Sequence, residues 1–237
     1  MRFLFHHIPK CAGRYLITQF RNNSYQEKQY SFESEEVFNF KFSQFEDDGY
    51  EDFFVETEDF FPSHYNWHRF MPPFRSNILE VRIRESIKRF KKNGYDSVTF
   101  VRDPREALCS LYFYFWERMS RKWKSSAAAR ERWRNRHTGL LEYPRLNNFL
   151  LNVNVRFVPE WWEDFDYVGV VDDSGKDFKD FFEKYGLENI SENIVGKSRN
   201  KGYHELCKQG IIKEETQEFL ESSEDFKVFQ DLVQRYR

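Results

Sequence analysis

The run Phe3-Leu4-Phe5-His6-His7-Ile8 is apolar and of strand type, and it breaks at once into Pro9-Lys10-Cys11-Ala12-Gly13. Helical spacing starts directly afterwards, with Tyr15, Leu16 and Phe20 as its apolar positions. No other feature constrains the fold as much as this strand, short loop and helix in succession. A Lys in such a loop makes an anion site, because the first N–H groups of the helix and the ammonium converge on one point. The opening of the chain reads as a grip on a phosphate-like group.

The same alternation continues downstream. Ile83, Ile87 and Phe90 predict a helix from Arg82 to Asn93, closed by Gly94. Ser97 to Val101 reads as a buried strand, and Pro104 suits the first turn of a new helix with Leu108, Leu111, Tyr112, Phe115 and Met119 on one face. A helix near Leu146 to Leu151 and a strand from Tyr167 to Val171 follow. The next helix has Asp173 or Ser174 as its cap, Phe178, Phe181, Phe182 and Tyr185 facing inward, and Gly186 as its stop. Stretches near 213–221 and 223–236 close the chain as helices. Residues 31–62 read as acidic loops rich in aromatics, with a short half-buried strand where Phe38, Phe40 and Phe42 alternate with polar residues. Strands alternating with helices imply an α/β protein, here one domain over 1–237 with a mainly parallel sheet flanked by helices.

The net charge of −2 conceals a segregation of charge. Glu27 to Asp59 is acidic, whereas Arg118 to Arg136 holds eight Arg or Lys and one Glu. The three cysteines, Cys11, Cys109 and Cys207, are odd in number and lack metal-ligand spacing. They read as reduced thiols. No apolar run approaches the roughly 18 residues of a membrane span, and no signal-peptide pattern follows Met1-Arg2. A cytoplasmic protein is the expectation.

A second strand–loop–helix, VTFVRDPREALCSLYFYF, spans Val98 to Phe115. Arg102 at the strand end can fork onto a phosphate, and Ser110 lies eight residues on. The plainer reading is an Arg102–Asp103 loop pair beside a surface serine. No Gly-Lys-Ser/Thr is present, which argues against an ordinary ATPase or GTPase.

Together, His7-Ile8-Pro9-Lys10-Cys11-Ala12-Gly13-Arg14-Tyr15 and Arg102-Asp103-Pro104-Arg105-Glu106-Ala107-Leu108-Cys109-Ser110-Leu111-Tyr112 resemble the paired donor loops of the sulfotransferase superfamily, carbohydrate-type branch. Phe165 to Val171 and Lys197-Ser198-Arg199-Asn200-Lys201 resemble later parts of the family more faintly. The resemblance implies a P-loop-like sulfotransferase fold and a donor, 3′-phosphoadenosine 5′-phosphosulfate. By the same resemblance, Lys10 and the amides of Cys11, Ala12, Gly13, Arg14 and Tyr15 hold the 5′-phosphosulfate. Arg102, Ser110, Ser198 and Arg199 serve the 3′-phosphate end. Two departures stand out. The hydroxyl residues that follow the family's Lys are here Cys11, Arg14 and Tyr15, and the family's second Arg is Ala107, with Arg105 nearby.

Sulfonate transfer needs a base for the acceptor's proton and a cation for the leaving oxygen. Lys10 suits the second role. Ser63-His64-Tyr65 resembles the family's base segment, so His64 is the first candidate and His68 the second, with an acidic residue of 46–59 behind them. His6 and His7 alternate on a strand, so one of them points away from the donor side. The basic 118–136 stretch reads first as a solvated helix face and next as a landing site for an anionic glycan. Nucleic acid is the weaker option, because no RNA-binding signature accompanies its tryptophans. The reading is therefore a metal-independent sulfotransferase acting on a hydroxyl of a saccharide-containing acceptor. The alternatives are another, kinase-like, phosphate-handling enzyme and a sulfotransferase-like binding module without activity. Acceptor identity and oligomeric state leave no trace in the sequence.

Overall fold

The computed structural model describes residues 1–8, 10–30, 53–58, 77–123, 146–152, 157–191 and 202–236. These group into two compact units, Met1–Arg102 with Pro159–Lys197, and Asp103–Val158 with Ser198–Arg237.

The first unit is built on a parallel sheet of five strands: β1 (Arg2–His7), β2 (Gln26–Tyr30), β3 (Phe53–Glu58), β4 (Asp96–Arg102) and β5 (Tyr167–Val171). Their order is β2-β3-β1-β4-β5, with every pair parallel. The chain is thus α/β, as the alternation implies. Helices α1 (Gly13–Asn22) and α2 (Asn77–Lys92) follow β1 and β3. From β1 the chain crosses to β2 on one side of the sheet, and from β3 it crosses back over β1 to β4. Right-handed crossovers in opposite directions send α1 and α2 to opposite faces.

One face carries an aromatic core. Phe3 and Phe5 of β1 and Phe100 of β4 meet Leu16 and Phe20 of α1 and Phe178, Phe181 and Tyr185 of α5 (Lys176–Tyr185). Phe3 meets Tyr185 edge-on at 4.9 Å, and Phe100 stacks on Phe178 at 4.7 Å and 11°. Such pairs add roughly 0.5–1.5 kcal/mol each beyond their burial.

This packing explains Gly169, in the middle of β5. A Cβ there would overlap the Phe100 ring, which cannot retreat because Phe178 and Phe181 lie against it. Gly169→Ala is expected to destabilise the fold by about 1–3 kcal/mol, read as a lower denaturant midpoint with an unchanged slope. A wild-type midpoint would mean that the ring is not confined.

Asp166 joins β4 to the entrance of β5. Its carboxylate accepts the Ser97 N–H and hydroxyl, each at 2.8 Å, and the Lys91 ammonium at 2.9 Å. Burial opposes ionisation here, but these donors outweigh it and hold the carboxyl below its ordinary value near 3.8. A lowered folded-state pKa stabilises above the unfolded value and is lost as pH falls through the folded one. Asp166→Asn should therefore flatten the loss of stability as pH falls below the ordinary carboxylate value, which acid titration of the melting temperature reads directly. Equal acid limbs in the two proteins would contradict this tie.

The helix stops follow the sequence. Gly94 and Gly186 adopt φ 78° and φ 64°, the left-handed region that glycine enters without strain. The start of α5 differs from expectation. Asp172 Oδ1 accepts the N–H groups of Ser174 and Gly175, and Ser174 Oγ accepts that of Lys176, so Asp173 takes no part among these bonds.

The second unit is helical: α3 (Pro104–Trp123), α4 (Leu146–Asn152), α6 (Tyr203–Lys208), α7 (Glu214–Ser222) and α8 (Glu224–Tyr236). Buried Asp225, in the first turn of α8, accepts the N–H groups of Phe157 (3.2 and 3.0 Å) and Val158 (3.0 Å). No helix among the described residues is long and apolar enough to cross a membrane. Cys11, Cys109 and Cys207 are not joined in disulfides.

Candidate anion-binding site

β1 and β4 lie side by side, with His6 level with Thr99. The Thr99 hydroxyl, in the middle of β4, donates to the carbonyl of His6 near the end of β1 at 3.0 Å and ties the two strands together. Connections leave these strands in opposite directions, β1 toward β2 and β4 toward β5. This is the topological switch point, where the loops after neighbouring strands part and a ligand crevice opens in doubly wound sheets. The sequence-derived residues Lys10 and Arg102 stand at these two strand ends.

The β1–α1 loop has an unusual backbone. Lys10 adopts φ 66° and Ala12 φ 61°, both left-handed although neither is glycine. Such a residue costs on the order of 1–2 kcal/mol, and strain of this kind concentrates at functional sites. A left-handed residue stands on each side of Cys11, and backbone turns that include such residues can form concavities lined by N–H groups. Cys11 N–H donates to Ile8 O at 3.3 Å, and Tyr15 and Leu16 N–H both go to Ala12 O. Among the described residues, the N–H groups of Ala12, Gly13 and Arg14 have no protein acceptor. They are the open donors at the start of α1.

The side chains of this loop divide. Cys11 is buried, and Tyr15 is buried against Phe178, edge-on at 5.1 Å, with its hydroxyl pKa raised by desolvation. Both side chains serve the core. Arg14 is exposed at the first turn of α1, and Lys10 is half-buried. His6 is buried, with its ring 5.9 Å from Trp161 and 5.6 Å from Phe165. On the other side of β1, Glu58 ends β3 level with His7. An acidic position of the 46–59 stretch therefore stands at the carboxyl edge of the sheet.

Arg102 ends β4, half-buried and level with Val171 of β5. The next residue, Asp103, opens the second unit. Its carboxylate caps α3 through the Arg105 N–H at 2.9 Å and receives Arg105 Nε (3.0 and 3.2 Å) and Nη2 (2.7 Å). Arg105 thus engages both oxygens of the Asp103 carboxylate. It is tied to Asp103 and Glu221 and covered by the Phe226 ring at 3.9 Å. Ala107 is fully buried, which leaves no room for an arginine at that position. Ser110 is half-buried on α3, two helical turns from its start.

His64, His68, Ser198, Arg199 and most of the basic 118–136 stretch lie outside the described residues. Within the described residues, no cluster of His, Cys, Asp or Glu could hold a metal ion. Sequence reasoning missed the Asp103–Arg105 pair, although an Asp immediately before a Pro-initiated helix is a readable cap signal. Comparison of the chain with family models, curated proteins and solved structures found no match.

Proposed function

We propose that this protein is a sulfotransferase that moves a sulfonate group from 3′-phosphoadenosine 5′-phosphosulfate to a hydroxyl of a saccharide-containing acceptor. The observation that supports this reading most is that β1, which leads into the Lys10 loop, and β4, which ends at Arg102, are adjacent strands at the switch point of a parallel sheet. A P-loop-like sulfotransferase architecture is part of the proposal. The donor set suits such a donor: open N–H groups of Ala12, Gly13 and Arg14, with Lys10 beside them, and Arg102 on the neighbouring strand.

In this mechanism the amides at the start of α1 and the Lys10 ammonium hold the 5′-phosphate. As the sulfur–oxygen bond to that phosphate breaks, they stabilise the charge that builds on the leaving oxygen. A new sulfur–oxygen bond forms to the acceptor hydroxyl, whose proton passes to a base. His64 is the proposed base and His68 the second candidate. Arg102 holds the 3′-phosphate, with Ser110, Ser198 and Arg199 as the further ligands that the resemblance implies. No step requires a metal, because Lys10 and backbone dipoles supply the electrostatics.

The test is transfer of radiolabelled sulfonate from the donor to a panel of neutral and acidic saccharides. Label recovered in a saccharide ester supports the reading. Donor binding without transfer to any acceptor would favour the non-enzymatic binding module.

A further inference from the structure

We propose, independently of the function above, that Asp177 guards the edge of the sheet: its carboxylate occupies an outward N–H of β5 and keeps that strand from pairing with the β5 of a second copy of this chain.

Among the described residues, β2 and β5 are the two edges of the sheet. An edge strand presents a row of N–H and C=O groups that can template another strand, and proteins blunt such edges with charges, bulges or covering groups. The two edges differ in what their own sequences supply. β2, QEKQY, carries Glu27 and Lys28. β5, YVGVV, carries no charge and no proline, and three of its five residues are valine. Uncharged, β-branched strands of this kind are the ones that pair with copies of themselves.

Protection of β5 comes from the helix that follows it. The strand pairs with β4 on one side only, and the Val170 N–H goes to Asp177 Oδ2 at 2.6 Å. A carboxylate is a strong acceptor for such a group. A second bond fastens the same turn: the Tyr167 hydroxyl donates to the Asp177 carbonyl at 2.6 Å, and the Tyr167 ring packs 5.0 Å from that of Phe181. Asp172 holds the connection tight, since its Oδ1 accepts the N–H groups of Ser174 and Gly175. Asp177 thus stands in the first turn of α5, where the helix dipole favours a negative charge, and reaches back to the strand. Without the carboxylate, an unpaired N–H is left on an apolar edge. A second β5, related by a two-fold axis, offers the carbonyl groups that it needs.

Sedimentation velocity across a dilution series, with hydrogen exchange at the Val170 amide, is the test. Asp177→Ala should gain a species of about twice the wild-type mass that grows with concentration. When dilute, its Val170 amide should exchange about tenfold faster than in the wild type, and protection should return as the larger species forms. Ile17→Ala cuts into the same aromatic core without touching the edge; it should melt earlier and keep the wild-type mass at every concentration. An unchanged mass in Asp177→Ala overturns the proposal. Equal association in Ile17→Ala does so too, because it ties association to lost stability. A larger species whose Val170 amide stays unprotected places the contact elsewhere and is equally fatal. Should Asp177→Ala fail to fold, Asp177→Ser decides by the same readings, since serine keeps a polar group at the helix start but is shorter than the carboxylate.

Discussion

Replacing Lys10 by alanine is expected to lower turnover about 100- to 1000-fold without unfolding the protein. The size follows from its place: a cation in the loop between β1 and α1, beside the open N–H groups that would hold the leaving phosphate. The backbone allows a sharper version. Lys10 occupies φ 66°, where any side chain with a Cβ is strained. Lys10→Gly relieves that strain and should fold as well as the wild type or better, by up to about 1 kcal/mol, while losing the same turnover. Stability and activity moving in opposite directions mark a residue retained for chemistry. Near-normal turnover in either purified variant would remove this loop from the reaction centre.

Arg102→Ala is expected to weaken donor binding by about 1.5–3 kcal/mol, a factor of roughly 10 to 150. The 3′-phosphate does not react, so the loss should fall on donor affinity and KM, with kcat at saturating donor changed far less. Ser110→Ala removes a neutral hydroxyl and should lose about 1 kcal/mol or less. Calorimetric titration with adenosine 3′,5′-bisphosphate reads both variants. Equal affinity in wild type and Arg102→Ala would take the residue out of the donor site.

Much of the fold is legible in the sequence because apolar runs and helix stops are local signals. The strands at 2–7, 96–102 and 167–171 are buried and apolar enough to announce themselves, and Gly94 and Gly186 stop helices at positions where φ is positive. Two strands escape. β2, QEKQY, lies at the sheet edge, where one side needs no partner and the sequence carries no apolar run. β3, FFVETE, is apolar only in its first half and sits within a stretch that reads as acidic loop. The alternation at 38–42 that suggests a strand lies outside the described residues. The short helix at 203–208 also gives no signal, since six residues are too few to establish a period.

For the site, the loops themselves are readable but their division of labour is not. Nothing in Pro-Lys-Cys-Ala-Gly says that Ala12 takes the left-handed conformation, nor that Tyr15 turns its ring to Phe178. Arg105 is the clearest case. By sequence it stands as a spare ligand near Ala107, yet its partners Glu221 and Phe226 lie more than a hundred residues away, a distance that no local pattern spans. The Asp103–Arg105 pair, two residues apart at the start of α3, is local, yet the sequence reading did not draw it.

In the proposed function, two anion loops at one switch point hold a doubly phosphorylated adenosine donor. The most direct test of this is a calorimetric titration of the wild-type protein with adenosine 3′,5′-bisphosphate and, separately, with ATP. One saturable site is expected for the bisphosphate, binding at least about tenfold tighter than ATP, because a 3′-phosphate would meet Arg102 and a triphosphate would not. Heat of binding for ATP alone, or equal affinity for the two nucleotides, would contradict it and point to a kinase-like enzyme.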